Sequence, residues 1–574
     1  MKAHPLFAKL IPILYEDESF LALGKPAGVD VGGAPSGQAD GLIELVKTIR
    51  PRNETLHPTN RLSRFESGVL LLGKNPGAAA RIRTMLKSLR LQQEYVAVVI
   101  GRMKKPTLVF ASDGGSSGAK TGKGKRHTHS PRTAQRRPQF ESPTNGTVLR
   151  RLEESEHRTL IRCETTAPTT HALRAQLRSA GLRLVGDRVH DRSRRLMAHE
   201  DTCLHLARVP LQQGGQKAAM TIRSPTPPGF AVALRGGRDA QRLLHAALTR
   251  RLPCLFEPDT DSFRLLTGPS EGLSGLVAEK YGPVVILQVL DAAPFWSKSL
   301  PDIARWYRDL LGVRAVYVKR FVRDRTQLTD DLQEALRSSK PLLGEPAPPQ
   351  IAILERGLRF TIRPYDGFSV GLFLDQRDNR SRIREMSTGK DVLNLFAYTC
   401  GFSIAAAAGG ASSTTSVDVS PKHLEWGRSN FALNGVDLTA HQFIRSDAAE
   451  YLKRAKRQGK EFDIIVLDPP SFAHGRKSKH DFSILEDLGE LVTSACELLR
   501  TGGVMMISTN HRKMSLRDLL RRVREGFGSR PCDILATPPL PPDFAVDPDH
   551  AKTVFVRCKR TGTQRPETPG GDRS

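Results

Sequence analysis

The sequence has few cysteines, and they are widely separated. Only seven occur in 574 residues, and no two show the short spacing of a metal-binding knuckle or a disulfide framework. We therefore expect reduced, mostly buried thiols and no metal site. The sequence also lacks an apolar run of about 20 residues, so no transmembrane helix is expected. The N-terminus has neither a signal-peptide cleavage site nor transit-peptide composition, which favours a cytoplasmic protein.

Acidic residues are scarce relative to basic ones. Asp and Glu number 60 against 87 Lys and Arg, which gives a net charge of +27. This excess favours a nucleic acid as partner, because each phosphate that is neutralised releases counterions. Apolar residues make up 39% of the chain, enough for real cores. The length predicts about two to four domains.

Two segments have the composition of disordered chain. Residues 112–138 are rich in Gly, Ser and basic residues, and the tail 560–574 is similar. Neither has enough apolar side chains to repay the entropy of ordering. Further breaks in the pattern lie at 224–237 and 344–349, where Pro and Gly are frequent. We expect folded domains over 10–235, 240–345 and 350–558.

Apolar strands alternate with amphipathic helices between residues 391 and 508. The runs VLNLF (392–396) and FDIIVLDPP (462–470) are examples of strands with two buried faces. This alternation predicts a parallel α/β sheet. Ligands bind such sheets at the carboxyl ends of the strands, near the point where the strand order reverses.

Polar and glycine residues follow these strands in the order that a ligand site requires. Gly401 would let the backbone approach a ligand. Asp418 suits a ribose diol, and Ser446 with Asp447 suits an adenine edge. Asp468 begins a rigid turn with two prolines. One glycine turn is weak evidence, but four strand-end features in sequence order form a strong signal.

These residues resemble the class I S-adenosylmethionine-dependent methyltransferases, and more closely the RlmI/RlmK-like family that modifies 23S ribosomal RNA. The likeness also includes GFSVGLFLDQRDNR (367–380), SNFALNG (429–435) and LTGPSEGLSGLVAEKYG (266–282), and it covers about 250 to 550. It implies S-adenosylmethionine as cofactor and a Rossmann-like, parallel-rich domain preceded by a small α+β domain. The implied cofactor contacts are Phe373, Asp375, Arg377, Asn379, Asn394, Phe396, Gly401, Asp418, Ser446, Asp447 and Asp468. The implied target-base pocket is formed by Asp468, Pro469, Pro470, Ser471 and Phe472.

The expected target atom follows from the absence of a suitable thiol. Carbon-5 of cytosine is a poor nucleophile, so its methylation needs a cysteine thiolate. Family members that do this carry a cysteine where this sequence has Thr509, Cys400 belongs to the cofactor turn, and Cys496 has a buried helix pattern. Guanine N7 has a lone pair and no proton to lose, so orientation can supply most of the catalysis. We therefore predict N-methylation, with guanine N7 favoured and cytosine C5 as the alternative.

A target base must leave its stack to reach such a pocket. Phe472 could stack on the base, although ordinary core packing explains it equally well. Arg476 and Lys477, within HGRKSKH (474–480), could bind the flanking phosphates.

The N-terminal part resembles RluA-like pseudouridine synthases over roughly 10–235. The likeness is carried by PILYEDESFLALGKPAGVDV (12–31), LHPTNRLSRFESGVLLLGKNPGAAARI (56–82), EYVAVVIGR (94–102) and TTHALRAQLRSAGLRLVGD (169–187). It implies a mixed sheet with a basic cleft.

The stretch that matches the catalytic motif of those synthases lacks its carboxylate. The family sequence begins His-Arg-Leu-Asp-Arg, whereas this chain has Asn60 and Ser63 in place of His and Asp. A serine hydroxyl has a far higher pKa than a carboxylate and cannot take over the reaction unaided. Glu66, on the following turn, is expected to point elsewhere. We therefore predict an inactive synthase domain.

Such a domain would serve as an RNA-binding surface that raises affinity through multivalency with the methyltransferase. Tyr95 matches the base-stacking tyrosine of the family, and Arg174 matches the arginine that pairs with the lost Asp. We expect Arg174 to lack its anionic partner and to be free for a phosphate. The predicted RNA contacts are Arg61, Arg64, Tyr95, Arg174, Arg476 and Lys477.

The leading hypothesis is thus a ribosomal RNA methyltransferase with a degenerate synthase domain. Naked RNA and pre-ribosomal particles both remain open as substrates. The alternatives are a bifunctional synthase and methyltransferase, which Ser63 opposes, and a non-enzymatic RNA-binding factor in ribosome assembly.

Overall fold

The computed structural model describes residues 10–32, 41–48, 55–87, 92–111, 146–166, 170–187, 202–211, 220–235, 240–290, 298–321, 334, 336–367, 369–470, 472–473 and 482–559. The predicted disordered segments 112–138 and 560–574 lie outside these residues. Contacts divide the chain into two units: Met1–Phe256 with Glu271–Leu273, and Glu257–Ser270 with Ser274–Ser574.

The first unit is built on one mixed sheet, which confirms the predicted architecture. The sheet runs in the order β1-β2-β4-β10-β5-β8-β7-β6, and β3, β9 and β11 pair with β4, β5 and β10. Its strands are β1 (Ile13–Glu16), β2 (Phe20–Lys25), β3 (His57–Pro58), β4 (Ser67–Gly73), β5 (Gln93–Ile100), β6 (Thr107–Ala111), β7 (Gly146–Glu154), β8 (Arg158–Thr165), β9 (Arg183–Leu184), β10 (Leu204–Leu211) and β11 (Met220–Arg223).

Several helices belong to the described part of this unit. They are α1 (Leu42–Thr48), α2 (Pro76–Lys87), α3 (Thr170–Ser179), α4 (Gly229–Leu234), α5 (Ala240–Arg250) and α6 (Leu252–Leu255). Period-two alternation explains the two faces of β5: Tyr95 and Ala97 join the main core, while Val96 and Val98 pack in a cluster with α4. The predicted domain boundary at 240 assigns α5 and α6 to the small domain, whereas contacts group them with the first unit.

The second unit begins with a small five-stranded sheet. Its order is β12-β13-β14-β15-β16, and β14 and β15 are parallel neighbours. Helix α7 (Leu300–Leu311) lies between these two strands in the chain, as the crossover between a parallel pair requires. The strands are β12 (Ser262–Leu266), β13 (Leu276–Tyr281), β14 (Val284–Leu290), β15 (Ala315–Phe321) and β16 (Leu343–Gly344), and a hairpin of β17 (Ile351–Glu355) and β18 (Leu358–Ile362) follows.

The larger sheet of the second unit confirms the predicted alternation of strands and helices. Its order is β21-β20-β19-β22-β25-β27-β26. The first five strands are parallel, and β27 is antiparallel to both of its neighbours. The strands are β19 (Asp391–Leu395), β20 (Ser413–Asp418), β21 (His441–Arg445), β22 (Phe462–Leu467), β25 (Leu499–Thr509), β26 (Cys532–Ala536) and β27 (Lys552–Cys558), with the short pair β23 (Phe472–Ala473) and β24 (Phe482–Ser483) apart from the sheet.

Helices cover both faces of this sheet and bury its apolar strands. They are α8 (Arg377–Met386), α9 (Gly401–Ala408), α10 (Pro421–Leu433), α11 (Ala448–Arg457), α12 (Ile484–Cys496) and α13 (Leu516–Phe527). Side-chain caps fix several helix starts: Ser515 and Asp518 form a capping box on α13, and Ser420 caps α10. Among the described residues, no helix is long and apolar enough to cross a membrane.

Two glycines of this unit provide a matched test of packing. A Cβ at Gly409, which ends α9, would overlap the carbonyl of Arg384 in α8, whereas a Cβ at Gly489 within α12 meets nothing within 4 Å. We predict that Gly409→Ala lowers the free energy of unfolding by about 1–3 kcal/mol, while Gly489→Ala raises it by about 0.5–1 kcal/mol through helix propensity. Denaturant titration followed by tryptophan fluorescence measures both, because all three tryptophans lie beyond residue 257. Equal effects of the two substitutions would contradict the α8–α9 packing.

Candidate active site

The carboxyl ends of the parallel strands form one continuous edge. Leu395 of β19 lies opposite Val417 of β20 and Leu467 of β22, and Leu467 lies opposite Ile507 of β25. Residues that follow these strands are therefore neighbours. The strand order reverses between β19 and β22, so a crevice is expected at this point of the edge.

Ion pairs close the opposite edge of the sheet. The Arg500 guanidinium donates to the carboxylates of Asp391, 2.9 Å away, and Asp463, 2.6 Å away. Asp391 and Asp463 stand at or near the amino ends of β19 and β22. The two edges thus differ in chemistry, and the carboxyl edge is the one that presents groups for a ligand.

The turn after β19 has an unusual backbone. Phe396, Tyr398 and Cys400 have φ values of 57°, 49° and 63°, in a left-handed region that costs a non-glycine residue on the order of 1–3 kcal/mol. Two hydrogen bonds hold the turn: the amide of Tyr398 donates to Asp418 Oδ2 over 2.9 Å, and Thr399 Oγ1 donates to the Gly371 carbonyl over 2.6 Å. Such strain persists only where the surroundings fix it.

Asp418 ends β20 and faces this turn. Its side chain is 12% exposed, and its second oxygen, Oδ1, accepts from the amide of Ser420 over 2.8 Å. Each carboxylate oxygen has more than one acceptor site, so both retain capacity for a hydroxyl donor. The position and chemistry suit the ribose diol for which this residue was predicted.

Ser446 and Asp447 stand beside Asp418 on the same edge. The amide of Ser446 donates to the Asp418 carbonyl over 3.2 Å. The Asp447 carboxylate is exposed and caps α11 by accepting from the amides of Ala449 and Glu450. Asp447 therefore has a structural role that is sufficient to explain an aspartate there.

Aromatic side chains form an open part of the edge. Phe373 is 48% exposed, and its ring centroid lies 5.3 Å from that of Tyr398. Phe396 is half-buried and packs against the core. At Gly401, the first residue of α9, an added Cβ would approach Arg380 Cδ only to 3.4 Å. A side chain at this position would therefore meet protein atoms only at ordinary van der Waals distance, so close packing does not require the glycine.

Three predicted cofactor contacts are buried side chains that bond to other protein groups. The buried guanidinium of Arg377 donates to Asp543 Oδ1 over 2.5 Å. Asn379 donates to Gln376 Oε1 over 2.7 Å, and Asn394 donates to Ser403 Oγ over 2.9 Å. These bonds give the three side chains structural roles.

Asp468 follows β22 and has a perturbed carboxyl group. Burial and the nearby Asp375 carboxylate raise its pKa to about 7, although Arg380 and a hydrogen bond with Ser508 act in the opposite direction. Close to neutral pH, this carboxyl group is therefore divided between its acid and its base form. Pro469 is buried and Pro470 is exposed, which fixes the direction of the turn.

Asp375 is held as a carboxylate. Burial alone would raise its pKa, but the hydrogen bond and charge of His550, with the charges of Arg264 and Arg380, lower the pKa below its ordinary value. The environments of Asp375 and Asp468 thus push their pKa values apart, an arrangement that separates a permanent charge from a group that exchanges protons.

Arg380, Tyr398, Ser508 and His550 belong to this site but were not predicted from the sequence. Arg380 forms a two-pronged ion pair with Glu355 at 2.7 and 2.8 Å and also donates to the Phe373 carbonyl over 2.8 Å. The only available signal was its position at the end of the quoted motif 367–380.

Ser471, Arg476 and Lys477 lie outside the described residues, and Phe472 is described only as part of β23.

The seven cysteines are free thiols, and none is exposed. Burial raises the pKa of Cys400 to about 12 and that of Cys496 to about 11. Thr509, at the end of β25, is fully buried. Within the described ranges, no group of three or more His, Cys, Asp or Glu side chains could hold a metal ion.

The structure corrects two predictions about the first unit. Glu66 is 1% exposed, and its carboxylate turns back to accept from the amide of Ser63 over 2.8 Å and from Arg174 over 2.6 Å. Arg174 also donates to Asp187 over 3.1 Å. The expectations that Glu66 points elsewhere and that Arg174 is free for a phosphate are therefore wrong, because the turn at 63–66 brings this carboxylate to the arginine.

The rest of this motif is held rigidly. The buried ammonium of Lys25 donates to the carbonyls of Ser63 and Glu66 over 3.1 and 2.8 Å. Asn60 pairs with the backbone of β4 at Val69 and Leu71. The degenerate sequence therefore still forms an ordered loop.

The four predicted RNA contacts of the first unit differ in accessibility. Arg61 is exposed, and Arg64 is exposed while its Nε donates to the Gly28 carbonyl over 3.1 Å. Tyr95 is buried and Arg174 is buried between two carboxylates. Only the first two present a charge to a polymer in this structure.

We predict that Glu66→Ala destabilises the first unit by about 1–3 kcal/mol, because it removes one of the two carboxylates that pair with the buried Arg174, while Asp187 remains. The control is Glu44→Ala, which breaks the exposed pair with Lys47, 2.8 Å apart, and should cost about 0–1 kcal/mol. Scanning calorimetry of the whole chain compares the two variants. Equal losses would mean that the Glu66–Arg174 pair does not stabilise this unit.

Comparisons with known proteins agree with the two-part organisation. A family model described as S-adenosylmethionine-dependent methyltransferase matches residues 331–556, and one described as RNA pseudouridylate synthase matches 19–179. The structure of SMU.776, a methyltransferase complexed with SAH, is 26% identical with a TM-score of 0.50 and covers 67% of this chain and 98% of that chain.

Curated relatives are similar over the second part of the chain. A ribosomal RNA large subunit methyltransferase of Deinococcus radiodurans is 33% identical over 327 residues, which cover 55% of this chain and 78% of the relative. The large subunit methyltransferase K of Neisseria meningitidis is 34% identical, with coverage of 42% and 68%. The corresponding methyltransferase I of Klebsiella pneumoniae is 33% identical, with coverage of 46% and 64%. The chain therefore belongs to the family of S-adenosylmethionine-dependent methyltransferases that includes these ribosomal RNA enzymes, and a domain similar to RNA pseudouridylate synthases precedes its methyltransferase domain.

Proposed function

We propose that this chain methylates ribosomal RNA of the large subunit, the 23S RNA. The main support for this proposal is the carboxyl edge of the larger sheet, where the Asp418 carboxylate, a strained turn and the Asp375–Asp468 pair lie together. The relatives that match this part of the chain are named as large subunit methyltransferases. The net charge of +27 also supports a polyanionic substrate.

The edge offers a suitable group for each part of S-adenosylmethionine, which supplies an electrophilic methyl group on its sulfonium. Asp418 would accept hydrogen bonds from the ribose hydroxyls. Ser446 and Asp447 would contact the adenine, with Phe373 as an apolar wall. Asp375 would lie on the methionine side, where a permanent negative charge favours a cationic ligand.

We assign the methyl acceptor to a guanine, with N7 as the favoured atom. The cysteines support this choice against cytosine C5, since burial keeps Cys400 and Cys496 protonated and Thr509 replaces the required thiol. Protonated Asp468 would donate a hydrogen bond to the O6 atom beside N7. Orientation of this kind is the main contribution that N7 needs from the protein.

A second candidate is an exocyclic amine of a base, and the pKa of Asp468 favours it. Methyl transfer to an amine leaves a proton that must depart, and a carboxylate with a pKa of about 7 is suited to accept it. The two candidates require opposite protonation states of Asp468, so they differ in their dependence on pH.

The first unit is proposed to be an inactive synthase domain that binds RNA. Ser63 supports the loss of activity, and the exposed Arg61 and Arg64 support contact with phosphates. Pre-ribosomal particles as substrate, the domain ranges 10–235, 240–345 and 350–558, and a cytoplasmic location stay predictions.

The affinity for S-adenosylmethionine tests directly whether the carboxyl edge of the larger sheet binds the cofactor. We predict that Asp418→Asn weakens the affinity roughly 10- to 150-fold, because a charge-assisted hydrogen bond contributes about 1.5–3 kcal/mol. Isothermal titration calorimetry measures the change. The control is Asp437→Asn, since the Asp437 carboxylate accepts from the amide and hydroxyl of Thr439 in an exposed turn. Unchanged affinity in the Asp418 variant would remove this residue from the cofactor site.

Nucleoside mass spectrometry of RNA methylated by the wild-type protein identifies the acceptor atom. If N7 is the acceptor, we predict 7-methylguanosine and a single-turnover rate that falls as pH rises through about 7, because Asp468 loses the donated proton. An exocyclic amine would give the opposite slope. Asp468→Asn should abolish either pH dependence, and 5-methylcytidine as the only product would refute both assignments.

A further inference from the structure

His550 connects the carboxyl edge of the larger sheet to the small sheet. Its Nε2 lies 3.5 Å from Asp375 Oδ2, and its Nδ1 lies 3.5 Å from a guanidinium nitrogen of Arg264. Asp375 belongs to the turn before α8, Arg264 to β12, and His550 to the segment before β27. Three segments that are distant in sequence therefore meet at this imidazole.

The surroundings fix the ring of His550. Its centroid lies 5.0 Å from that of Phe544, and the His550 amide donates to the Asp547 carbonyl over 3.0 Å. The Arg264 guanidinium stacks on the Phe544 ring, 4.1 Å from its centroid. It also pairs with the Glu279 carboxylate at 2.7 Å. The imidazole is thus oriented by packing as well as by its two polar neighbours.

The charges around this group are asymmetric. His550, Arg264 and Arg380 favour the charged form of Asp375, whereas Asp375 and Asp468 disfavour each other's charge, and Arg380 acts on both carboxyl groups. Glu279 offsets the charge of Arg264. His550 is a neighbour of Asp375 whose ring nitrogen approaches the carboxylate directly, with Nε2 3.5 Å from Oδ2.

We propose that His550 is a positioning residue for methyl transfer, which fixes the orientation and the negative charge of Asp375 beside Asp468. This inference rests on the proposed function, because it assigns Asp375 to the cofactor and Asp468 to the target base. It requires no contact between His550 and either substrate.

The expected effect of removing His550 has a definite sign. Replacement of His550 by alanine removes a hydrogen-bond donor beside the Asp375 and Asp468 carboxyl groups and so favours their protonation. The pair therefore takes up a proton at a higher pH than in the wild type. A protonated pair attracts the cationic cofactor less strongly. Both cofactor binding and the methylation rate should therefore change with pH at a higher midpoint than in the wild type.

The test compares His550→Ala and His550→Gln in the full chain. We expect the Ala variant to raise the pH midpoint of S-adenosylmethionine affinity, measured by calorimetry, by about one unit. At pH 7 its affinity should fall up to about tenfold. The Gln variant retains an N–H donor and should restore part of the shift. The single-turnover rate with RNA should show the same displacement of its midpoint.

His441→Gln is the matched control. His441 begins β21, at the amino edge of the sheet, and bonds to Thr414 Oγ1 at 3.0 Å, so its replacement should move neither midpoint.

A lower rate or affinity in His550→Ala with an unchanged midpoint would indicate a merely structural role and would overturn the inference. The inference would also be overturned if both His550 variants matched the wild type in every readout. The calorimetric midpoint needs no RNA, so a displaced midpoint in a protein that methylates no RNA would support the role of His550 while refuting the proposed substrate.

Discussion

The hydrogen bond between Asp418 and the amide of Tyr398 is the constraint on which the carboxyl edge of the larger sheet depends. It ties the end of β20 to a turn that contains three non-glycine residues in left-handed conformations. Such a turn would relax without this anchor, because its backbone is strained by on the order of 1–3 kcal/mol at each position. Through Thr399 the same turn holds Gly371, and Phe373 follows two residues later. One carboxylate thus organises the ligand-facing residues of two neighbouring segments.

A second constraint is the separation of charge between the two remaining carboxyl groups. Asp375 and Asp468 repel each other; the hydrogen bond and charge of His550, with the charges of Arg264 and Arg380, lower the pKa of Asp375, whereas burial and the Asp375 charge raise the pKa of Asp468 despite the opposing effect of Arg380. The result is one permanent charge and one group that gains or loses a proton near neutral pH. Arg380 in turn is held by Glu355 in the hairpin β17–β18. The electrostatics of the site therefore depend on residues from outside the larger sheet, which sequence reasoning about strand ends does not reach.

The sequence predicted those features that follow from local periodicity. Apolar runs separated by amphipathic helices placed Asp418 and Asp468 at strand ends, since the carboxyl ends of parallel strands share one edge. It did not predict the partners of Arg377, Asn379 and Asn394, because these were assigned from a motif, and a motif does not show which way a side chain points. Arg377 bonds to a residue 166 positions away and Asn379 to one 174 positions away, and such pairings arise only in the folded chain.

The same limit explains the error at Glu66, and the correction changes how the first unit is understood. Arg174 is buried between the carboxylates of Asp187 and Glu66, and a buried arginine is destabilising by several kcal/mol unless anions pair with it. Glu66 returns its carboxylate to the amide of Ser63 and to Arg174, and Lys25 holds the loop that carries it. The charge balance of the site is thus maintained by a residue three positions away, while the side chain at position 63 carries no carboxylate. A domain can therefore lack a carboxylate at this position and remain folded, provided that another side chain supplies the negative charge beside the buried arginine.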